Sequence, residues 1–171
     1  KSVYLSSIGI TIGCVTTLIS NDTYSVFVFS VLLSIFIVYL KLKFEWNGFF
    51  IYGISLVYLT TLLWFINNPL LGNNVELRST SPFEILSILI FAIIFASGNF
   101  FRAEKESENN SLIVSTILNC FLSYTLFLLF TMTKHKDALA IFHLSSSIIF
   151  LIIATLYWIK SESKFSTFFY S

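Results

Sequence analysis

Six stretches of the chain are almost entirely apolar, and charged residues occur only near their ends. Crossing about 30 Å of hydrocarbon as a helix takes roughly 20 apolar residues, because every backbone amide and carbonyl must be paired within the segment. A water-soluble domain of 171 residues could not hide this surface, since 56% of the residues are hydrophobic and 11% are charged. The predicted membrane-spanning segments are Val3–Ile19, Ser25–Lys41, Gly48–Ile66, Phe83–Phe101, Leu112–Met132 and Ala138–Ile159.

These runs predict helices rather than strands. They are apolar throughout, without the alternation of apolar and polar residues that a membrane β-barrel requires. Short connections at about 20–24, 42–47 and 133–137 make the helices that they join antiparallel neighbours. We therefore predict an all-α, polytopic integral membrane protein, with six transmembrane helices arranged as antiparallel hairpins in a single bundle over residues 1–171.

Local signals mark several helix ends. Ser81-Pro82-Phe83-Glu84 predicts an N-cap, a proline in the first turn and a carboxylate that reaches back to the cap amide. Trp46 and Trp64 bracket the third helix at a spacing that suits one aromatic side chain at each membrane interface. The other predicted N-caps are Asp22 or Thr23 for the second helix, Ser111 for the fifth and Asp137 for the sixth.

The distribution of Lys and Arg orients the chain, because cytoplasmic loops carry an excess of both residues. With six crossings, the connecting loops alternate between the two sides of the membrane. The richer side holds Lys1, Lys41, Lys43, Arg102, Lys105, Lys160 and Lys164, and the other side holds Arg78, Lys134 and Lys136. Both ends of this segment are therefore predicted to be cytoplasmic, in a bacterial inner membrane, with residues 67–81 facing outward.

Charge and motifs limit the possible functions. Buried charge at bilayer depth is kept mainly where ions, protons or voltage are handled. Lys41 and Glu84 lie near helix ends and no charged residue lies mid-helix, which argues against a pump, a proton-coupled transporter or a voltage sensor. The sequence holds no nucleophile-elbow, zinc-protease or phosphate-loop motif. The net charge is +1 with scattered Lys and Arg, so we also expect no nucleic-acid binding.

The polar residues inside the predicted helices suit helix packing. Gly9 and Gly13 form a Gly-x-x-x-Gly motif that lets a neighbouring backbone come close, and Asn99 and Asn119 are expected to hydrogen-bond across helices. His143 is predicted to lie between helices. His135 and His143 are the only histidines and belong to one segment, so they cannot grip a haem from both faces within one copy. We expect no catalytic residue, metal or cofactor.

The longest polar interruption runs from Asn67 to Ser81. Asn68 precedes Pro69 and is pushed away from helical geometry, so this pair is predicted to end the third helix. An aquaporin-like re-entrant element would need a half-helix after the proline, and only Leu70 and Leu71 precede Gly72. The stretch is therefore predicted to be a connector. The functional alternative is an outward-facing contact loop formed by Asn67, Asn68, Pro69 and Gly72.

Hydropathy and loop order over about residues 48–132 resemble a known family. The residues concerned are Ile54–Trp64, a polar loop, the apolar stretch from Phe83 and the charged Arg102–Lys105. They are similar to the tandem helix hairpins of a large bacterial family of predicted multi-pass membrane proteins of unknown function. This chain departs from the family pattern at Thr61, where proline is expected. The resemblance implies a longer polytopic chain and supplies no catalytic residues.

Several functions are compatible with this pattern. The first is a non-enzymatic membrane module, either a scaffold or a sensory or partner-binding component. The alternatives are a subunit of a transporter or channel for a neutral or lipidic solute, and an accessory subunit of a large membrane complex. The expected partners are the lipid bilayer and other membrane helices, of the same chain or of a larger complex. We also expect residues 1–171 to be a piece of a longer chain.

Cysteines introduced at Leu71 and Ser107 test the predicted orientation. Because the two positions lie on opposite sides of the membrane in this arrangement, a membrane-impermeant thiol reagent should label Leu71→Cys on intact cells. Ser107→Cys should be labelled only after the inner side is exposed. The reverse pattern contradicts the predicted orientation.

Overall fold

The computed structural model describes residues 2–20, 22–78, 82–101, 110–134, 136–161, 168 and 170–171. This part of the chain is helical and contains no strand. The helices are α1 (Val3–Ile19), α2 (Thr23–Phe44), α3 (Asn47–Phe65), α4 (Pro82–Phe100), α5 (Asn110–Lys134) and α6 (Leu139–Ser161), with short 3-10 turns at Pro69–Leu71 and Lys136–Ala138. The predicted all-α fold class is confirmed.

Five helices, α2 to α6, are long and apolar enough to cross a membrane by length and composition. The sixth, α1, begins and ends where the sequence predicts but has 17 residues, which is shorter than the other five. Leu5 and Ile12 on α1 and Phe29 on α2 are more than half exposed on the outer surface. Apolar side chains on the outside of apolar helices fit a membrane protein, because lipid rather than water can surround them.

The helix starts agree with some of the predicted caps. Asp22 caps α2, since its Oδ2 accepts a hydrogen bond of 2.9 Å from the Ser25 amide, and bonds from Ser25 hold the pKa of this carboxyl below its usual value. The prediction for Ser111 is wrong, because α5 begins one residue earlier, at Asn110. Asp137 lies in the 3-10 turn before α6. Pro82 begins α4 as predicted, while its proposed cap, Ser81, lies outside the described residues.

The helices form two rows that pack face to face. In the first row α3 lies between α1 and α5, and in the second row α4 lies between α2 and α6. Successive helices run in opposite directions, so all members of one row run the same way. The rows contact each other through α1 and α2, α2 and α3, α4 and α5, and α5 and α6, which makes the helices on each short connection antiparallel neighbours as predicted.

Aromatic rings pack inside the bundle at the end where α3 stops, both within the first row and between the rows. The ring of Phe27 on α2 lies 5.0 Å from the ring of Trp64, and the rings of Phe65 and Phe130 stack at 4.3 Å. Trp64 is only 2% exposed. Trp64 lies in the last turn of α3, and Phe27, Phe130 and the Arg78 side chain surround its indole inside the bundle.

Glycines let the helices approach closely at two positions. A Cβ added at Gly53 of α3 would lie 2.8 Å from Cγ2 of Ile37 on α2, and one at Gly98 of α4 would lie 2.9 Å from Cζ of Phe50. Helices in lipid gain little from apolar burial alone, so this close packing contributes much of their association.

Replacing Gly53 by Ala tests this packing. Ile37 is fully buried and branched at Cβ, so it cannot move aside easily, and the added methyl group should destabilise the bundle by about 1–3 kcal/mol. The measurement is thermal unfolding in detergent. Gly9→Ala is the matched control, because a Cβ at this exposed position meets nothing within 4 Å and should leave the Tm unchanged or higher. Equal Tm values for both variants and the parent contradict the packing argument.

Candidate functional site

The carboxamide of Asn119 on α5 lies at the centre of a polar cluster between the two rows. Its Oδ1 accepts a hydrogen bond of 2.8 Å from the Tyr58 hydroxyl of α3. Its Nδ2 donates to the Ala92 carbonyl of α4 at 2.9 Å and to the Tyr170 hydroxyl at 2.7 Å. The side chain is 1% exposed. One amide therefore joins three helices and the segment that follows α6.

Two tyrosines extend the cluster toward α6. The Tyr157 hydroxyl of α6 donates to the Ala96 carbonyl of α4 at 2.6 Å. The rings of Tyr157 and Tyr170 lie nearly parallel, with centroids 5.8 Å apart and an interplanar angle of 6°. The ring of Phe150 also contacts the Tyr170 ring, with the two centroids 6.0 Å apart. All three aromatic residues are buried, so these contacts attach α6 to the interior of the bundle.

Asn99 of α4 forms a second interhelical contact with α5. Its Nδ2 donates to Ser115 Oγ at 2.9 Å and lies 3.2 Å from Thr116 Oγ1. Both hydroxyl-bearing residues and Asn99 itself are nearly inaccessible to solvent. The sequence predicts that Asn99 and Asn119 hydrogen-bond between helices, and both side chains form hydrogen bonds to other helices.

Lys41 lies in the last turn of α2, as expected, but its side chain is buried. Helix α2 continues to Phe44, and the Lys41 side chain is 4% exposed. Its Nζ donates to the Gly98 carbonyl of α4 at 2.6 Å and lies 5.8 Å from the centre of the Phe50 ring. The contact joins α2 to α4 near the end of the bundle where both helices finish.

The loop after α3 is organised around Asn67. Its Oδ1 accepts from Arg78 Nε at 3.2 Å, its Nδ2 donates to the Asn74 carbonyl at 3.2 Å, and its own carbonyl accepts from Asn73 Nδ2 at 3.0 Å. The Arg78 guanidinium also lies 5.5 Å from the centre of the Trp64 ring. These bonds close residues 67–78 into a defined turn on top of α3.

Asn68 is part of the interior rather than of an outward-facing surface. It is 3% exposed, and its Nδ2 donates to the Leu18 carbonyl near the end of α1 at 3.1 Å. Asn67 and Asn68 have positive φ angles of 62° and 50°, and Gly72 follows with 82°. Asparagine tolerates this left-handed conformation better than most residues. Of the predicted contact loop, Asn67 and Pro69 are partly buried and only Gly72 is exposed.

The remaining predicted positions lie apart from the cluster. Gly13 packs against Leu33 of α2, whereas Gly9 is exposed and meets no neighbouring atom, so only one glycine of the motif contributes to packing. His143 is exposed, and its Nδ1 lies 3.5 Å from the Tyr124 hydroxyl of α5, which is a long contact for a hydrogen bond. His135 lies outside the described residues.

Sequence reasoning missed the tyrosines of the cluster. The sequence patterns described above identify none of Tyr58, Tyr157 and Tyr170 as a site residue. A signal was present for Tyr58, since it lies well inside an apolar run, where a hydroxyl needs a partner. The sequence alone does not identify that partner, because Tyr58 and Asn119 are 61 residues apart.

The chemistry that this arrangement supports is hydrogen bonding. No group of three or more His, Cys, Asp or Glu side chains that could hold a metal ion occurs among the residues described. An apolar groove of about 410 Å³ lies between α3 and α5, lined mainly by leucines, and a more polar groove of about 390 Å³ lies between α5 and α6. Compared with known protein families, curated proteins and solved structures, the chain gives no match.

Substitutions at Asn68 test the anchoring of the loop. Asn68→Gly keeps the left-handed conformation and removes the bond to the Leu18 carbonyl, so it should lower the free energy of unfolding by about 0.5–1.5 kcal/mol. Asn68→Ala adds backbone strain and should lower the stability further. Denaturant unfolding in detergent measures both effects. Asn74→Ala, at an exposed position of the same loop, is the control, and an equally large effect at Asn74 contradicts the anchoring role.

Proposed function

We propose that the chain is a non-enzymatic, multi-pass membrane module that acts as a scaffold or as a sensory or partner-binding component. The observation that carries this proposal is the way in which the interior polar groups are used. Asn119, Asn99, Tyr157 and Lys41 all bond to helix carbonyls or to side chains of other helices. Groups engaged in this way hold helices together and do not present a reactive atom to a substrate.

The exposed surfaces support a role in a membrane assembly. Helix α6 is the most exposed of the five long helices, and its outer side carries apolar residues such as Ile141, Leu151 and Ile159. Lipid or other membrane helices suit this surface. The excess of Lys and Arg on one set of loops favours an orientation with both ends of the segment cytoplasmic, and the resemblance to a bacterial family favours a bacterial inner membrane.

The loop between α3 and α4 offers a surface for a partner outside the helices. Leu70 is 73% exposed and Leu71 is 52% exposed, while the hydrogen bonds of Asn67 hold the turn beneath them in place. A rigid turn that presents leucines favours binding, because little conformational freedom is lost when a partner covers it. In this proposal the contact residues are the leucines rather than the asparagines.

The alternative function is a transporter or channel subunit for a neutral or lipidic solute. The groove between α3 and α5 favours it, because Leu59, Leu62, Leu118 and Leu122 line a space of about 410 Å³ that suits an acyl chain. An accessory role in a large membrane complex is a special case of the scaffold proposal and gives the same surfaces to a partner.

Co-purification tests the proposed function. A tagged chain extracted in mild detergent should bring down a reproducible set of membrane proteins, identified by quantitative mass spectrometry. The double substitution Leu70→Ser and Leu71→Ser should reduce recovery of these partners severalfold, because it removes the apolar contacts of the loop. Val75→Ser, an equally exposed position in the same loop, is the matched control.

Two outcomes would contradict the scaffold proposal. One is recovery of the chain alone from native membranes, without partner proteins. The other is unchanged recovery of the partners with the double variant, which would exclude Leu70 and Leu71 from the interface. Movement of a lipid or neutral solute by the chain in proteoliposomes would favour the transport alternative instead.

A further inference from the structure

The Tyr170 side chain occupies a pocket that six helices alone would leave empty. It belongs to the segment after α6, yet it is 2% exposed and lies among residues of α4, α5 and α6. The other described residues of this segment differ from it, since Phe168 is 71% exposed and Ser171 is also exposed. A single buried ring is thus inserted into the bundle from a segment whose described neighbours lie at the surface.

The pocket has the shape of a slot for a flat ring. Tyr157 stacks on one side of the Tyr170 ring, nearly parallel to it, and Phe150 contacts the ring at an angle of 35°. Offset stacking of this kind favours a planar aromatic group over an aliphatic one. The stacking contacts alone therefore favour a flat ring in this pocket.

One hydrogen-bond donor points into the slot. Asn119 uses its Oδ1 for Tyr58 and one N–H for the Ala92 carbonyl, and the second N–H is satisfied by the Tyr170 hydroxyl oxygen. If Tyr170 leaves, this N–H remains in apolar surroundings without a partner, which is unfavourable. The vacant pocket would therefore favour any ring that brings an oxygen acceptor to the same place.

A route into the pocket exists along the groove between α5 and α6. This groove has a volume of about 390 Å³ and reaches the surface, and Tyr170 itself forms part of its wall. Ile117, Phe121 and Phe150 make it largely apolar, while Cys120, Tyr124 and Ser147 add polar atoms. A lipid-soluble ring could enter here without crossing the packed interior between the rows.

We propose that this pocket is a binding site for a flat, lipid-soluble ring that carries a hydroxyl group, a phenol, and that Tyr170 is its exchangeable occupant. Asn119 recognises the oxygen, and Tyr157 and Phe150 hold the ring. The inference rests on the proposed sensory or partner-binding function, in which exchange of the ring would be the input. Its site is separate from the Leu70–Leu71 surface that the proposed function assigns to a protein partner.

The native cysteines provide the test. The chain has two, Cys14 and Cys120, and only Cys120 lines the groove beside Tyr170. In a Cys14→Ala background, Tyr170→Ala should raise the rate at which N-ethylmaleimide labels Cys120 severalfold, because the pocket opens. Adding 4-methylphenol should return the rate to that of the Tyr170 chain, whereas toluene, which has the same ring without the hydroxyl, should leave it raised.

Each result decides the proposal. Equal protection by 4-methylphenol and toluene overturns recognition by Asn119, and protection by neither overturns the site. Tyr4→Ala, at an exposed tyrosine of α1, is the matched control and should not change the labelling of Cys120.

A second variant covers the case in which Tyr170→Ala does not fold. Tyr170→Phe keeps the ring and removes the hydroxyl, so the occupant competes less well for Asn119. Equilibrium dialysis should then give a lower Kd for 4-methylphenol than in the unaltered chain, and an unchanged Kd overturns the proposal. Both measurements use the purified chain, so they report on this pocket whether or not partner proteins co-purify.

Discussion

The hydrogen bonds of the Asn119 carboxamide link the two rows of helices and fix how they are aligned. Apolar contacts between helices in lipid do not by themselves select one register. A buried amide does select one, because its N–H and C=O groups must all be paired. Asn119 meets Tyr58 from its own row and Ala92 from the other. Sliding any of these helices would leave a polar group without a partner. The amide therefore fixes register as well as contact.

Many of the Ser and Thr residues of the helices do not compete with this arrangement, because their hydroxyls donate to carbonyls of their own helix. Thr17, Ser34 and Thr131 each donate to the carbonyl four residues earlier in the same helix, at 2.7 Å. Such bonds place hydroxyl groups inside apolar helices at little cost and give no information about neighbours. The longer amide and phenol side chains reach across to other helices. This division explains why a chain rich in serine can still specify one set of helix contacts.

The helices and their order were predictable from the sequence, because uninterrupted apolar runs of this length leave a backbone no alternative to internal hydrogen bonding. The start of α5 was missed by one residue, since Ser111 resembles a cap but the helix already includes Asn110. The loop was predicted as a connector, yet the burial of Asn68 depends on the Leu18 carbonyl, 50 residues away. The partners of Asn119 were unpredictable for the same reason. The spacing of apolar residues and the composition of each segment predict local structure only. The candidate site is formed by contacts between distant segments, which these patterns do not predict.

Helix α6 is joined to the Asn119 cluster through Tyr157 and Tyr170. It is the most exposed of the long helices, and its inner contacts include the Tyr157 bond to the Ala96 carbonyl and the stack of Tyr157 on Tyr170. Loss of the stacked ring would leave Phe150 and Tyr157 facing an open slot. At the opposite edge of the bundle, α1 packs on α3 through the 2.6 Å contact of Thr11 and Tyr52. This contact does not involve the Asn119 cluster, so loss of the stacked ring would not change it directly. The outermost helix at one edge, α1, packs more extensively than the outermost helix at the other edge, α6. Helix α6 also borders the more polar groove between α5 and α6.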